Sequence, residues 1–472
     1  MQHIIKKQTI DLHVDKQLDS FRIQQQVSDH FWQSVIFLLE KEFDKVSSED
    51  EFICLDRVEI DLGVIHEKEI STTAWSANIT ELLKEQISQL VSQDLISAEK
   101  TGVKRSFAAS SYKQWLFYMR YGYLPWNVIL INNVWYDNVI EELATNYNSV
   151  SELRKEIKVN EIAVMRIIRQ HPLAFLIQLV EILTAEKQTE LFTTLSEIYD
   201  KITGSAVKAS PVKSTLQQSD ELQLTYETIF KQILTISSEI SGQLSALLPA
   251  IKQQIHAALF FDRTNKKVDN LSEPPQTQIS SPSSLNPLEQ GIVQAESNVL
   301  KQIIADDGIY VQNAGLVLIH PFVQSLFKLV GLLNNSQFTS IKAQERAIYL
   351  LHYVATGKVK AQEHELVIPK MLCGYSMEVP VNNNIKLLKK QMKEADRMLE
   401  AAIASWGILK NTSVEGLREV FLQRSGKVLM RNEKINLLVE KSAIDVLLDQ
   451  LPWNLSIIKL PWLDELLKVE WR

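Results

Sequence analysis

The sequence predicts a mainly α protein with small β elements, an α+β chain with a helical middle and a short hairpin and strands near the C-terminus. Three observations carry that expectation. Glycine and proline number only 14 and 13 in 472 residues, too few for a large sandwich rich in turns. Apolar residues recur at spacings of three and four along most of the chain, which marks helix faces. The length also exceeds one ordinary core, so roughly two to four modules are expected.

The first module spans residues 1–100. Thr9-Ile10-Asp11-Leu12-His13-Val14-Asp15 alternates polar and apolar as a half-buried strand does. Val27, Phe31, Val35, Leu38, Leu39, Phe43 and Val46 then trace one face of a long helix. A second strand is expected at 52–63, where Leu55, Val58, Ile60 and Leu62 are apolar and Gly63 stops the run. A helix near 80–98 completes a small α+β unit.

A helical module follows at 109–202. Trp115, Met119, Val134, Val139, Leu143 and Tyr147 fit helix faces, with a break at Gly122-Tyr123-Leu124-Pro125-Trp126. His171-Pro172 ends another run, because proline disfavours the helical conformation in the residue before it. Leu191, Leu195, Ile198 and Ile202 resume the period. Short amphipathic helices cannot each bury a face alone, so they stack.

Residues 203–290 change composition. The stretches 204–220 and 265–287 are rich in Ser, Gln, Lys, Asn and Pro and read as linkers. Between them, 222–259 keeps a helical pattern through Ile229, Ile233, Ile236, Ile240, Leu244, Leu247, Leu248, Ile251 and Ile255, interrupted by Pro249.

The block 291–472 is dense in apolar and aromatic residues. A helix over 343–356 meets Gly357, where a left-handed cap is favoured. Another over 386–409 places Leu388, Met392, Ala395, Leu399, Ala402 and Trp406 on one side. Thr412-Ser413-Val414-Glu415 opens a helix over 415–424 that Gly426 ends. The runs 427–430 and 435–440 form a hairpin around Arg431-Asn432-Glu433-Lys434. Three tryptophans, Trp453, Trp462 and Trp471, close the block and predict an ordered end.

Composition narrows the function. A net charge of −7 lacks the clustered basic surface of a nucleic-acid binder. No apolar stretch approaches the ~20 residues that span a bilayer, and the opening MQHIIKKQTIDLHVD is no signal peptide. A cytoplasmic protein without stable membrane insertion is therefore expected. The two cysteines, Cys54 and Cys373, stand far apart with no metal-ligand spacing around them, as reduced core thiols do.

Enzyme motifs are missing. His364-Glu365 begins a metalloprotease helix, but Ile368 stands where the second histidine is needed. Gly357-Lys358 and Gly426-Lys427 lack both the earlier glycine and the following Ser or Thr of a phosphate loop. Asp306-Asp307 before Gly308 reads as a capped turn, with no further acidic ligands at loop spacing. His352 and Cys373 could serve as base and nucleophile of a cysteine hydrolase, yet both sit in apolar helical context. No catalytic, cofactor-binding or metal residues are assigned, and no cofactor is expected.

A resemblance fills the gap. Asn313-Ala314-Gly315-Leu316-Val317-Leu318-Ile319-His320-Pro321-Phe322 and Leu329-Val330-Gly331-Leu332-Leu333 open it. Arg346-Ala347, Leu350-Leu351-His352-Tyr353-Val354-Ala355-Thr356-Gly357 and Lys370-Met371-Leu372-Cys373-Gly374 follow. Then come Trp406, Asn411-Thr412-Ser413-Val414-Glu415-Gly416-Leu417-Arg418-Glu419, Phe421-Leu422-Gln423-Arg424, Asp445-Val446-Leu447-Leu448-Asp449 and two Pro-Trp pairs. In this order they resemble the C-terminal block of the tape measure proteins of contractile injection systems, which are phage tail-like particles. Val58-Glu59-Ile60-Asp61-Leu62-Gly63 and the 122–126 stretch resemble the family's N-terminal elements.

The resemblance implies a structural, non-enzymatic protein that sits in the inner tube lumen and helps set tube length and assembly. Its implied partners are the inner tube protein, baseplate and spike components and a tube-cap protein, with several copies per particle. A tube-end adaptor or assembly chaperone of the same particle is the alternative. From the residues alone, the motifs read as packing devices, with Gly315, Gly331 and Gly374 at helix ends or close contacts.

Overall fold

The computed structural model describes residues 3, 5, 8–46, 51–53, 58–70, 72–96, 104–128, 131–203, 216–239, 244–260, 308–409, 411–431 and 434–471. These form two compact units: unit 1 comprises Met1–Gln114 and Trp126–Thr145, and unit 2 comprises Trp115–Pro125 and Asn146–Arg472. The fold is mainly α with small sheets, as the apolar spacing predicts.

In unit 1, Asp19 caps α1 (Ser20–His30) by accepting from the amides of Phe21 and Arg22. A π-turn at Phe31–Val35 joins it to α2 (Ile36–Val46). Ile23, Val27, Phe31 and Val35 pack against Trp75 and Ile79 of α3 (Thr73–Ile96). The expected strand at 9–15 does not form, and 58–63 is also irregular. Their alternation places Val14 and Leu62 at the edge of the helical core, but no ladder partner pairs either segment in the described residues. The short antiparallel pair β1 (Glu51–Ile53) and β2 (Lys104–Ser106) does form, and β1 covers the first residues of the strand expected at 52–63. Residues 54–57, Cys54 among them, lie outside the described residues.

Helix α4 (Phe107–Tyr121) begins in unit 1 and ends in unit 2. Unit 1 closes with α5 (Asn133–Thr145), where the Trp135 indole donates to Gln114 at 3.0 Å. Of the residues assigned to helix faces, Trp115, Met119, Val139 and Leu143 are buried. Val134 and Tyr147 are exposed: each stands in the first turn of its helix, outside the stripe its neighbours bury.

Unit 2 contains a helical layer and a C-terminal block. The layer holds α6 (Tyr147–Val159), α7 (Glu161–Gln170), α8 (Leu173–Thr184), α9 (Thr189–Thr203), α10 (Leu216–Ser237) and α11 (Leu244–Phe260). Asn146 and Asn160 cap α6 and α7 through their side-chain oxygens. His171 takes the extended conformation that Pro172 demands, which ends α7 and starts α8. Ile229, Phe230, Ile233 and Leu234 of α10 are fully buried, with α6 to α9 and α11 around that helix. Pro249 lies inside α11 rather than ending it. Most of the expected linker sequence, 204–215 and 265–287, lies outside the described residues.

The C-terminal block is built on a five-stranded sheet of order β3-β6-β7-β9-β8. Its strands are β3 (Ile309–Val311), β6 (Gly426–Arg431), β7 (Lys434–Val439), β8 (Ile457–Ile458) and β9 (Leu467–Glu470), while β4 (Leu333–Asn334) and β5 (Gln337–Phe338) pair separately. The hairpin β6–β7 forms where expected, with Val428 opposite Leu437. Gly426 belongs to β6, because the preceding helix ends at Leu422, earlier than the pattern suggested. Around the sheet stand α12 (His320–Leu329), α13 (Ile341–Thr356), α14 (Val367–Leu372), α15 (Lys389–Ser405) and α16 (Val414–Leu417). Ser340 caps the start of α13, and Gly357 closes it in the left-handed conformation with its amide on Tyr353. Leu388, expected on the buried side of α15, is the exposed N-cap, whereas Ala395, Leu399, Ala402 and Trp406 are buried.

The closing tryptophans tie the end down. Trp471 is buried, Trp453 donates to the Leu318 carbonyl at 2.9 Å, and Trp462 donates to Leu372 at 2.8 Å. The Trp462 ring is half-buried between Phe327 and Phe338. Trp462→Ala should therefore cost about 3 kcal/mol, near the lower end for a large aromatic truncation. A urea unfolding curve of the full chain checks this, and an unmoved midpoint would show that the ring adds nothing.

Candidate functional site

The candidate catalytic residues are not organised for chemistry. Cys373 is fully buried, and burial pushes its thiol well above the ordinary range, so the thiolate needed by a nucleophile is disfavoured. Its carbonyl accepts from the Gln344 amide at 2.9 Å, at the start of α13. His352 lies two turns further along that helix, about 12 Å at 1.5 Å per residue. Burial also lowers the His352 pKa, which keeps the ring neutral.

His364 is lowered to about 4 by burial, and its ring meets Tyr118 edge-on at 5.6 Å. Glu365 folds back to accept the Gln362 amide at 2.7 Å, as a capping residue does. Ile368 is core. Asp306 and Asp307 lie outside the described residues. No group of three potential metal ligands occurs among those described.

What the fold does bring together is charge. Arg166 stands on the apolar side of α7, beside Ala163, Ile167 and Ile168, and is fully buried. Its Nε donates to Glu363 Oε2 at 3.0 Å, and its other nitrogens reach the carbonyls of Met119, Arg120 and Glu378. Glu363 also accepts from Lys370 Nζ at 2.5 Å, and Lys370 donates onward to the Val379 carbonyl at 2.8 Å. Burial pushes Lys370 down to about 8 even beside that carboxylate. The Glu363 amide donates to Gln170 Oε1 at 3.1 Å.

A second pair flanks the first. Arg169 binds Glu227 of α10 through two parallel bonds of 3.0 and 2.9 Å, and donates to the Pro380 carbonyl at 2.6 Å. Glu345 completes the set: burial raises its carboxyl pKa, although it accepts from the Asn382 amide.

The cluster explains two of the sequence motifs. Gly122, at φ +79°, crosses over the ion pair, and a Cβ there would come within 3.0 Å of both Arg166 Nη2 and Glu363 Oε1. Lys370 opens the 370–374 motif and supplies the second cation. Arg166 and Glu363 themselves were not singled out by the sequence. For Arg166 a signal existed: a lone charge on the buried stripe of an amphipathic helix has to meet a partner. With Arg166, Glu363 and Lys370 at 0–1% exposure, this is a sealed ionic keystone that joins the helical layer to the C-terminal block.

Among comparisons with known proteins, a family model described as contractile injection system tape measure protein matches residues 2–471. No curated protein and no solved structure matches.

Proposed function

Because the chain belongs to the contractile injection system tape measure proteins, we propose that it acts in the lumen of the particle's inner tube and sets tube length during assembly. The observation that carries this reading is the extent of the family match, which runs over residues 2–471 and so through both units. The role is structural. Its proposed partners are the inner tube protein, the baseplate and spike components and a tube-cap protein, with several copies in each particle and assembly in the cytoplasm. No helix among the described residues is long and apolar enough to cross a membrane.

Length setting needs reach. A fully helical chain of 472 residues would extend on the order of 700 Å. The packed units hold most of that length folded, so the Ser- and Pro-rich stretch 265–287 is the proposed place where reach is adjusted. Insertion there spares α10 and α11, which are part of the packed layer. Adding about 28 residues of helical pattern should lengthen every tube by roughly 40 Å, at 1.5 Å per residue, with a narrow distribution. Electron micrographs of particles carrying the insert provide the measurement. A narrow distribution at the original length would sink the ruler role of this stretch.

A further inference from the structure

We propose that Trp115 and His171 form a proton-operated latch: protonation of His171 at Nε2 undocks residues 115–121 of α4 from the helical layer. The device does not depend on the tape-measure role. Trp115 and His171 are both buried, and the indole nitrogen donates to His171 Nε2 at 2.9 Å. An indole can only donate, so Nε2 must carry no proton. Nδ1 lies 2.8 Å from the Ile167 carbonyl, which can only accept, so the ring proton sits there. Both partners therefore dictate one neutral tautomer. A proton added at Nε2 would point at the Trp115 N–H and break the bond.

The ring is packed among aromatic side chains, which give that proton little stabilisation. On α8 the ring of Phe175 stacks on His171 at 4.2 Å, and it also packs on Trp115 at 6.1 Å. On α4 the neighbouring titratable group is Tyr118, whose hydroxyl bonds Gln170. The cations on the histidine's own helix, Arg166 and Arg169, are held by Glu363 and Glu227. Burial accordingly lowers His171 to about 4 from an ordinary 6.5.

The sign follows from linkage. A histidine whose folded pKa is depressed lends full stability above its free value and loses it as pH falls from 6.5 toward 4. Undocking also reaches the keystone, because the carbonyls of Met119 and Arg120 on α4 hold Arg166.

Amide exchange of the full chain tests the latch. With docked and free values of about 4 and 6.5, exchange of residues 115–121, corrected for intrinsic rates, should rise roughly 20-fold from pH 7 to pH 5. Amides of α13 should not follow. His171→Phe should make α4 exchange independent of pH over this range. Trp115→Phe, which keeps an aromatic ring but removes the donor, should shrink the pH response. Equal exchange of α4 at both pH values overturns the proposal, and so does an equal rise in α13. A pH response that persists in His171→Phe overturns it as well.

Discussion

Glu363→Ala should destabilise unit 2 by about 3–5 kcal/mol, because it leaves Arg166 and Lys370 as uncompensated charges in a sealed interior. The size of the effect comes from the asymmetry of buried ion pairs. A complete pair contributes little net stability, since desolvation offsets attraction, but one partner alone retains the full desolvation cost. Replacing Arg166 and Lys370 by methionine in the same chain should therefore recover part of the loss. Chemical denaturation of the single and triple variants measures both values. A loss below about 1 kcal/mol for Glu363→Ala would mean that water reaches the cluster, contrary to its burial.

Gly315→Ala should be at least as damaging, with a loss of about 4 kcal/mol or more and no folded C-terminal block. Gly315 lies in the buried turn Ala314–Ile319. A Cβ at this position would fall 1.7 Å from the Phe421 carbonyl oxygen and 2.7 Å from its carbon. Those are backbone atoms, so no rotamer change relieves the overlap. Gly331→Ala is the matched control: no atom stands within 4 Å, and only the positive φ of +74° is strained. That variant should lose about 1 kcal/mol. Near-UV circular dichroism and soluble yield distinguish the two, and a native spectrum for Gly315→Ala would refute the close approach.

The legible parts of this chain share a physical trait: each is decided within a few residues. Gly357 marks the end of α13 because a capping bond spans one turn. His171-Pro172 separates α7 from α8 through a steric clash between adjacent residues. The 9–15 run failed for the converse reason. Alternation states which side chains face a core, but a strand exists only when another strand supplies its ladder. The same reason hid β3, β8 and β9, whose two to four residues carry too short a pattern to read.

The sequence by itself determined the mainly helical class, the Gly357 end of α13 and membership in the tape measure family, since those rest on local spacing and ordered motifs. Only the tertiary structure decided that β9 runs parallel to β7, and that Arg166 and Glu363, 197 positions apart, meet in one ion pair. It also decided that Trp115 would hold His171 in a single tautomer. Charge pairing and sheet order are contacts between distant segments. Their geometry is set when helices and strands bury their apolar faces together, and no window of the sequence contains both partners.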